Sequence, residues 1–416
     1  MKEKILTLLF VFVFYACWLF VKLLTLLAFL LRIKAIRKFF RSRNHANKKI
    51  SVLYLDLCGD DSAGNIYRAL KWCEILNANN FKAKSKHILL YKDLDALLKK
   101  PTGALRFYML SLFIRTAQCI VSIRYDIVIV RREILPFNDY GNLFLEKFMS
   151  AIHPSLVLDF DDDIVAAKKE PRSVIPFGKM MLDNPTKWIS SLKYFNYFIP
   201  GTSYLESVMQ KHFNVKDSKI LIVPTCVDYE KFPPHQYDLT KDEIVLGWAG
   251  TRGHLKYLDE IIPALNKTAA EFSIRLLVIC NQKYEPATAN FPIENIAWTK
   301  ENEIENLKKM DVGIMPLHDD DEERGKCGFK LIQYMGCGIV SVASAITFNN
   351  EIVDDGVNSF LVKDGDDWFP VLKKVLSEME KFPAMGKLAF EKVKNKFSFN
   401  ANSEKYIQFL RRVYQS

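Results

Sequence analysis

The residues best suited to chemistry in this sequence form a glycine-bearing loop between Gly325 and Gly338. The loop leads into a short predicted helix, a Gly-x-Gly stop and the apolar run Ile339–Ser344, a pattern typical of an α/β unit. Such a unit presents backbone N–H groups and a helix N-terminus to a bound anion. Lys330 opens the predicted helix among small residues, so it is a candidate partner for a phosphate. The pattern therefore predicts a diphosphate site.

A second glycine motif, Gly247–Thr251, ends a predicted strand in the same half of the chain. Arg252 and Lys256 lie just beyond Gly250 and could bind a phosphate. They could equally be solvated residues of a first helical turn.

A loop in the first half, Cys58–Arg68, also follows a predicted strand and opens a helix. Open α/β folds bind ligands at the carboxyl ends of their strands. Gly64 and Arg68 could therefore face a reacting sugar or a diphosphate. Alternatively, Gly59 and Gly64 only shape the turn.

These motifs resemble the donor-binding half of retaining glycosyltransferases of family 4, often called group 1. The likeness rests on the Gly325–Gly338 loop, Gly356–Val362, Gly247–Thr251 and Leu221–Asp228, and it runs from about Ile50 to the C-terminus. It implies a GT-B fold, with two Rossmann-like domains facing a cleft. It also implies glycosyl transfer from a nucleotide diphosphate sugar, with backbone N–H groups and basic side chains, rather than a metal or a cofactor, stabilising the leaving diphosphate. The donor site implied by the resemblance comprises Gly250, Thr251, Arg252, Lys256, Gly325, Lys326, Cys327, Gly328, Phe329 and Gln333, with Lys330 as a catalytic residue.

The sequence departs from the family pattern at two positions. Typical members have two glutamates eight positions apart, whereas this chain has Gly325 and Gln333 there. Gln333 can still bond a ribose hydroxyl, but Gly325 supplies no side chain. The acidic loop Asp319–Glu323 could make the sugar contact instead, or it could be solvated. The departure leaves open a catalytically impaired protein.

An acidic run, Asp159-Phe160-Asp161-Asp162-Asp163, follows the predicted strand Leu156–Phe160. It could be a carboxylate metal site, or the nucleophile motif that it resembles in haloacid-dehalogenase-type phosphatases. Asp161 and Asp162 could instead be catalytic residues that bind acceptor hydroxyls or stabilise positive charge on the sugar. We favour this role because the second half of the chain resembles a donor domain. A structural role, with Asp162 capping the next turn, is a further alternative.

The net charge of +10 is confined to one end of the chain. Residues 1–49 hold eleven Lys and Arg and a single acidic residue, Glu3, so the remainder is neutral overall. A neutral body argues against a nucleic-acid partner and assigns the basic charge to a segment beside a membrane.

The segment Ile5–Leu31 is apolar apart from Thr7, Lys22 and Thr25. It would span roughly 40 Å as a helix, enough to cross a hydrocarbon core of about 30 Å. Because Lys22 interrupts it, a single span, a shallow hairpin and an interfacial helix all stay open. The basic flank Arg32–Lys49 predicts that the large domain faces the cytoplasm at the inner membrane. Eight cysteines without a CxxC pattern agree with a reducing compartment.

Apolar runs then alternate with helical patterns, which predicts a mainly parallel α/β fold. We predict an anchor over 1–49, an acceptor-side domain over 50–235, a donor domain over 236–396 and a C-terminal helix over 397–416 that crosses back to the first domain. The predicted strands are Ile50–Leu57, Ile127–Val130, Leu156–Phe160, Tyr197–Ile199, Ile220–Val223, Ile244–Trp248, Arg275–Cys280, Val312–Met315 and Ile339–Ala343.

Taken together, these patterns predict a membrane-anchored glycosyltransferase. Its expected partners are a nucleotide sugar, a glycan or lipid-linked acceptor of a cell-envelope polysaccharide, and membrane lipids. The alternatives are a nucleotide-sugar-binding scaffold, a sugar-nucleotide epimerase and a phosphatase using Asp159 and Asp161. The sequence does not identify the base, the sugar, the acceptor, the linkage or the oligomeric state.

Overall fold

The computed structural model describes residues 2–43, 49–98, 101–137, 142–163, 165–166, 185–232 and 234–416. The chain divides into two compact units. The first comprises Met1–Val223 together with Ser403–Ser416, and the second comprises Pro224–Asn402.

The first unit is built on a parallel sheet with the strand order β2-β1-β3-β4-β5. β3 and β4 are almost wholly buried because helices cover both faces of such a sheet, which explains the apolar runs Ile127–Val130 and Leu156–Leu158. The order reverses between β1 and β3. The strands are β1 (Ile50–Leu55), β2 (Phe81–Lys86), β3 (Ile127–Arg131), β4 (Leu156–Phe160) and β5 (Tyr197–Pro200).

The second unit has its own parallel sheet, with the order β11-β10-β9-β6-β7-β8. Its order reverses between β6 and β9. Two parallel sheets confirm the predicted α/β class. The strands are β6 (Ile244–Ala249), β7 (Ile274–Ile279), β8 (Ile293–Ile296), β9 (Val312–Met315), β10 (Val340–Ser344) and β11 (Phe360–Val362).

The helices that the structure describes connect these strands. Those before β6 are α1 (Lys2–Leu30), α2 (Ile33–Arg43), α3 (Ala63–Asn65), α4 (Lys71–Ala78), α5 (Tyr91–Leu98), α6 (Pro101–Val121), α7 (Phe144–Ile152), α8 (Pro185–Ser191) and α9 (Ser203–His212). Those after β6 are α10 (Leu255–Glu271), α11 (Glu303–Leu307), α12 (Asp321–Arg324), α13 (Phe329–Gly336), α14 (Asn349–Ile352), α15 (Trp368–Ser377), α16 (Phe382–Lys392) and α17 (Phe399–Gln415). Ile66–Leu70 and Val393–Phe397 are π-helical turns.

α1 turns one stripe of side chains towards α6 and α7. The Phe10 ring centroid lies 6.1 Å from that of Tyr108 in α6, and the Phe14 ring centroid lies 5.7 Å from that of Phe144 in α7. Most other large apolar side chains of α1 are exposed, and Leu8–Leu30 is long and apolar enough to cross a membrane. α1 therefore combines contacts to the first unit with an exposed apolar face.

The C-terminal helix α17 contributes to the core of the first unit. The Tyr406 ring stacks on Trp72 with centroids 4.0 Å apart, and its hydroxyl lies 2.7 Å from the Tyr54 hydroxyl. One predicted strand forms only in part. Ile220–Val223 lies beside β5 and donates two backbone hydrogen bonds to it, from Leu221 to Phe198 and from Val223 to Pro200, but it forms a single bridge and not a full strand.

Candidate functional site

Predicted donor residues gather where the sheet of the second unit reverses its strand order. Gly250, Thr251 and Arg252 follow β6, and the acidic loop Asp319–Glu323 follows the neighbouring strand β9. Thr251, Arg252 and Lys256 are exposed. The carboxyl edge of the sheet at such a switch point is where open α/β folds bind ligands.

Lys330 and Gly250, which lie far apart in the sequence, meet at this edge. The Lys330 ammonium lies 4.3 Å from the centroid of the Trp248 ring, a cation–π contact. A Cβ atom at Gly250 would come within 2.7 Å of both the Lys330 ammonium and the Trp248 ring. Only glycine therefore leaves room for the lysine beside the end of β6.

The surroundings of Lys330 are electropositive. Burial, with the charges of Lys330, Lys326 and Lys256, lowers the pKa of His254 to about 3, so the imidazole is neutral at physiological pH. Burial lowers the pKa of Lys330 to about 7, with Glu323 opposing this shift and Lys326 adding to it. A diphosphate placed here would meet lysines whose mutual repulsion it relieves.

One carboxylate of the acidic loop turns inward. Glu323 is 2% exposed, and the Tyr257 hydroxyl donates a hydrogen bond to its Oε1 atom at 2.7 Å. Its Oε2 atom accepts no hydrogen bond from the part of the chain that the structure describes. Asp319 and Asp321 instead pair with Arg324 near the surface. The solvated-loop alternative holds for these two aspartates but not for Glu323, which offers a buried acceptor near Lys330.

Gly328 sets the start of the helix that carries Lys330. Its φ of +56° lies in the left-handed region, and α13 begins at the next residue, Phe329. A Cβ atom at Gly328 would also lie 2.3 Å from the Ile352 side chain. Glycine is therefore required here both by the backbone and by the space.

The two positions that depart from the family pattern are both buried. Gln333 is 5% exposed, and its Nε2 atom donates to no acceptor among the described residues. Gly325 is buried and ends α12. Cys327 is 6% exposed, whereas Lys326 is half-buried. Of the two departing positions, Gly325 and Gln333, only Gln333 has a side chain, and its amide can donate a hydrogen bond.

The first unit carries a dense charge network at the carboxyl edge of its sheet. Arg131 ends β3, and its Nη2 atom lies 2.9 Å from Asp161 Oδ2, just beyond β4. Arg132 Nε lies 3.2 Å from Asp161 Oδ1, and the same guanidinium contacts Asp162. Arg132 has a φ of +63°, a backbone conformation that is uncommon for residues other than glycine. Strained residues of this kind cluster at functional sites.

Asp161 is fully compensated within this network. Burial alone would raise the pKa of Asp161, but Arg131 and Arg132 outweigh it and hold the pKa well below the ordinary value. With so low a pKa, the Asp161 carboxylate is ionised and is a weak base. It therefore acts through its negative charge and not by accepting a proton. The side chains of Arg132 and Asp162 are 38% and 30% exposed, so these two residues of the network are the ones that a ligand can reach.

Gly64 makes room for this network. A Cβ atom there would lie 2.3 Å from both terminal nitrogens of Arg131. The Nη1 atom of Arg131 also lies 3.2 Å from Asp56 Oδ2, at the end of β1. The predicted turn glycine therefore allows the Arg131 guanidinium to reach Asp56 and Asp161.

Arg68 does not face a ligand, which corrects its predicted role. Its guanidinium holds Asp159 with two hydrogen bonds, of 3.1 and 2.8 Å, and donates to the Val223 carbonyl at 2.6 Å. Arg68 and Asp159 are 1% and 2% exposed. An attacking carboxylate must be reachable, so this burial also argues against the phosphatase alternative based on Asp159.

The sequence prediction missed Arg131 and Arg132, and it named the acidic loop Asp319–Glu323 without singling out Glu323. Arg131 and Arg132 directly follow the predicted strand Ile127–Val130, and the acidic run follows another predicted strand. Parallel strands end at one edge, so the charge complementarity of these two loops could have revealed the pair.

The comparisons with known proteins agree with this geometry. Residues 244–378 match the family model described as Glycosyl transferases group 1. No curated protein sequence matches the chain at a significant level.

Solved structures with a similar fold span both units. The Anabaena protein HepE, in complex with UDP and glucose, is 12% identical with a TM-score of 0.62, over 87% of this chain and 100% of that one. Sucrose-phosphate synthase from Thermosynechococcus elongatus is 13% identical with a TM-score of 0.63, over 88% and 99%. A glycosyltransferase from Rickettsia africae is 13% identical with a TM-score of 0.61, over the same shares. The chain therefore has the predicted GT-B fold, and its second unit contains the region that matches the group 1 glycosyltransferase model.

Proposed function

We propose that this protein is a retaining, family 4 glycosyltransferase that transfers a sugar from a nucleotide diphosphate sugar. The observation that carries the proposal is the contact of Lys330 with Trp248 and Gly250 at the switch point of the group 1 domain. Negative charge accumulates on the leaving diphosphate during transfer, and a preorganised cation there lowers the barrier.

Six side chains and one helix N-terminus of the second unit have roles in the proposed reaction. Lys330 donates to the diphosphate, and the N-terminus of α13 adds its backbone N–H groups. Lys326, Arg252 and Lys256 supply further positive charge, so the proposed mechanism uses no metal. Glu323 accepts a hydroxyl of the donor sugar through its unpaired oxygen, and Gln333 donates to the ribose. These two contacts replace those of the family's glutamates.

The acceptor is proposed to bind the first unit. Arg132 and Asp162 contact it, while Asp161 holds Arg131 and Arg132 in position. Exposed guanidinium nitrogens suit a phosphate, as carried by a lipid-linked glycan of a cell-envelope polysaccharide. We propose attachment to the cytoplasmic face of the inner membrane, through the exposed apolar face of α1 and the basic helix α2.

A catalytically impaired, nucleotide-sugar-binding scaffold is the second candidate. Gly325 places no side chain where family members have a glutamate, and this observation favours it. The scaffold predicts binding of the donor without transfer of its sugar.

Calorimetry on the full-length protein in neutral detergent tests the donor site. The panel is UDP, GDP, CMP and dTDP with their sugars, and UDP-glucose comes first because it occupies a solved HepE complex. We expect saturable binding of one nucleotide sugar without added metal. Lys330→Met should weaken it, whereas Lys387→Met, at an exposed lysine of α16, should not. If no nucleotide sugar binds the folded protein, the donor-site assignment fails.

A further inference from the structure

A large groove runs along the first unit between α1, α2 and α7. Its volume is about 1410 Å³, and its walls include Trp18 and Phe29 of α1, Lys34 of α2, Phe144 of α7, and Lys219. No part of it belongs to the donor site or to the charge network described above.

The groove is strongly cationic. It is lined by six basic side chains and by no aspartate or glutamate. None of the six pairs with a carboxylate in the part of the chain that the structure describes. Burial, together with the charges of Lys38 and Lys219, lowers the pKa of Lys34, in keeping with a groove in which both of these lysines lie near Lys34. The six are Lys22, Arg32, Lys34, Lys38, Lys147 and Lys219.

The same groove offers apolar surface continuous with the exposed face of α1. Leu26 and Phe29 are 56% and 76% exposed and lie on its wall, as does Trp18. The Lys22 ammonium lies 4.8 Å from the Trp18 ring centroid, near the apolar portion of the groove. A ligand that fits the groove therefore has both an anionic group and an apolar part.

The groove lies at the opposite edge of the sheet from the proposed acceptor site. Its wall residues Pro154 and Asn196 precede β4 and β5, at the amino ends of these strands. Asp161 and Asp162 follow the carboxyl end of β4. A strand of this length spans about 16 Å at about 3.3 Å per residue, so one headgroup cannot occupy both places. The occupant is therefore distinct from the reacting acceptor.

We propose that the groove binds an anionic phospholipid of the membrane. Lys34, Lys38 and Lys219 hold its phosphate, and its acyl chains lie against Trp18 and Phe29. Basic pockets next to membrane helices recognise anionic headgroups in this way. The proposal rests on the membrane attachment in the proposed function, since α1 must meet the bilayer for a lipid to enter.

The test uses full-length protein and vesicles of phosphatidylcholine, with or without phosphatidylglycerol. The wild type should float with the phosphatidylglycerol vesicles, and native mass spectrometry from neutral detergent should retain one phosphatidylglycerol. The variant Lys34→Gln/Lys38→Gln/Lys219→Gln should lose about fivefold in vesicle affinity per lysine, which corresponds to about 1 kcal/mol each. Its matched control replaces the exposed lysines Lys82, Lys211 and Lys216 with Gln, for the same change in charge.

A second readout probes the apolar wall. Phosphatidylglycerol with brominated acyl chains should quench tryptophan fluorescence in the wild type, and Trp18→Phe should remove most of that quenching. Equal losses in the two triple variants would mean that only net charge matters, which overturns the site. Displacement of the lipid by inorganic phosphate alone would assign the groove to a free anion and also overturn it.

Nucleotide-sugar calorimetry on the groove variant separates this proposal from the proposed function. Its donor affinity should equal that of the wild type, because the donor residues belong to the second unit. A wild type that binds lipid but no nucleotide sugar would refute the proposed function and leave the groove intact.

Discussion

Replacing Lys330 by methionine should weaken nucleotide-sugar binding and remove its pH dependence. Methionine keeps the apolar stem beside Trp248 but removes the ammonium. In the free protein burial lowers the pKa of Lys330 to about 7, so about half of the molecules carry the charge at that pH. A bound diphosphate favours the charged form and raises the pKa of the lysine. Binding is therefore coupled to proton uptake above pH 7.

The magnitude follows from the same linkage. While the pH lies between the free and bound pKa values, affinity falls with the charged fraction of the free protein. Wild-type affinity should thus fall about tenfold between about pH 6 and about pH 8. A charge-assisted hydrogen bond contributes about 1.5–3 kcal/mol, so Lys330→Met should cost roughly 10- to 150-fold at the lower pH.

The assay is calorimetry with an intact nucleotide sugar, whose diphosphate bridges two esters and does not titrate in this range. Heats measured in buffers of different ionisation enthalpy report the proton uptake directly. Lys387→Met should keep the full pH dependence of the wild type. A Lys330→Met variant that binds with unchanged affinity, or that keeps the tenfold fall, would refute the assigned role of Lys330.

Three other substitutions test neighbouring contacts. Glu323→Gln removes a charge that raises the pKa of Lys330, so the pH midpoint of nucleotide-sugar binding should move to lower pH in calorimetry; a midpoint that stays put would contradict this. Arg131→Met removes the ion-pair partner of the buried Asp56 and one of the two arginines that contact Asp161, and it should cost about 3–5 kcal/mol in urea unfolding. Gly64→Ala places a methyl group 2.3 Å from Arg131 nitrogens and should cost about 1–3 kcal/mol by the same method, with an unchanged unfolding midpoint as the contrary result.

The fold could be predicted because most strands are buried on both faces. Leu156–Phe160 and Val312–Met315 were predicted with their observed bounds, since both are buried throughout and Asp159 is their one charged residue. The edge strand Phe81–Lys86 was missed, because its charged residues Lys82 and Lys84 alternate with buried ones and no apolar run forms. Ile220–Val223 has the composition of a strand and donates two backbone hydrogen bonds to β5, but it forms only one bridge.

The site could be predicted from the sequence only where the backbone conformation requires a glycine. Glycine positions such as Gly250 and Gly328 marked both donor loops, because close approach and a positive φ leave a trace in the sequence. The sequence does not show which charged residues are buried. Arg68 and Glu323 have the composition of surface residues, and only the packing shows that both are internal.

The most direct test of the central claim is turnover. Full-length protein in detergent is incubated with the nucleotide sugar that calorimetry selects, carrying a radiolabelled sugar, and with lipid extract from the source cell envelope. Transfer of label to an extractable lipid or glycan, with release of the nucleoside diphosphate and loss of both in Lys330→Met, is the predicted result. Tight donor binding with neither release nor transfer would contradict the glycosyltransferase assignment and support the scaffold.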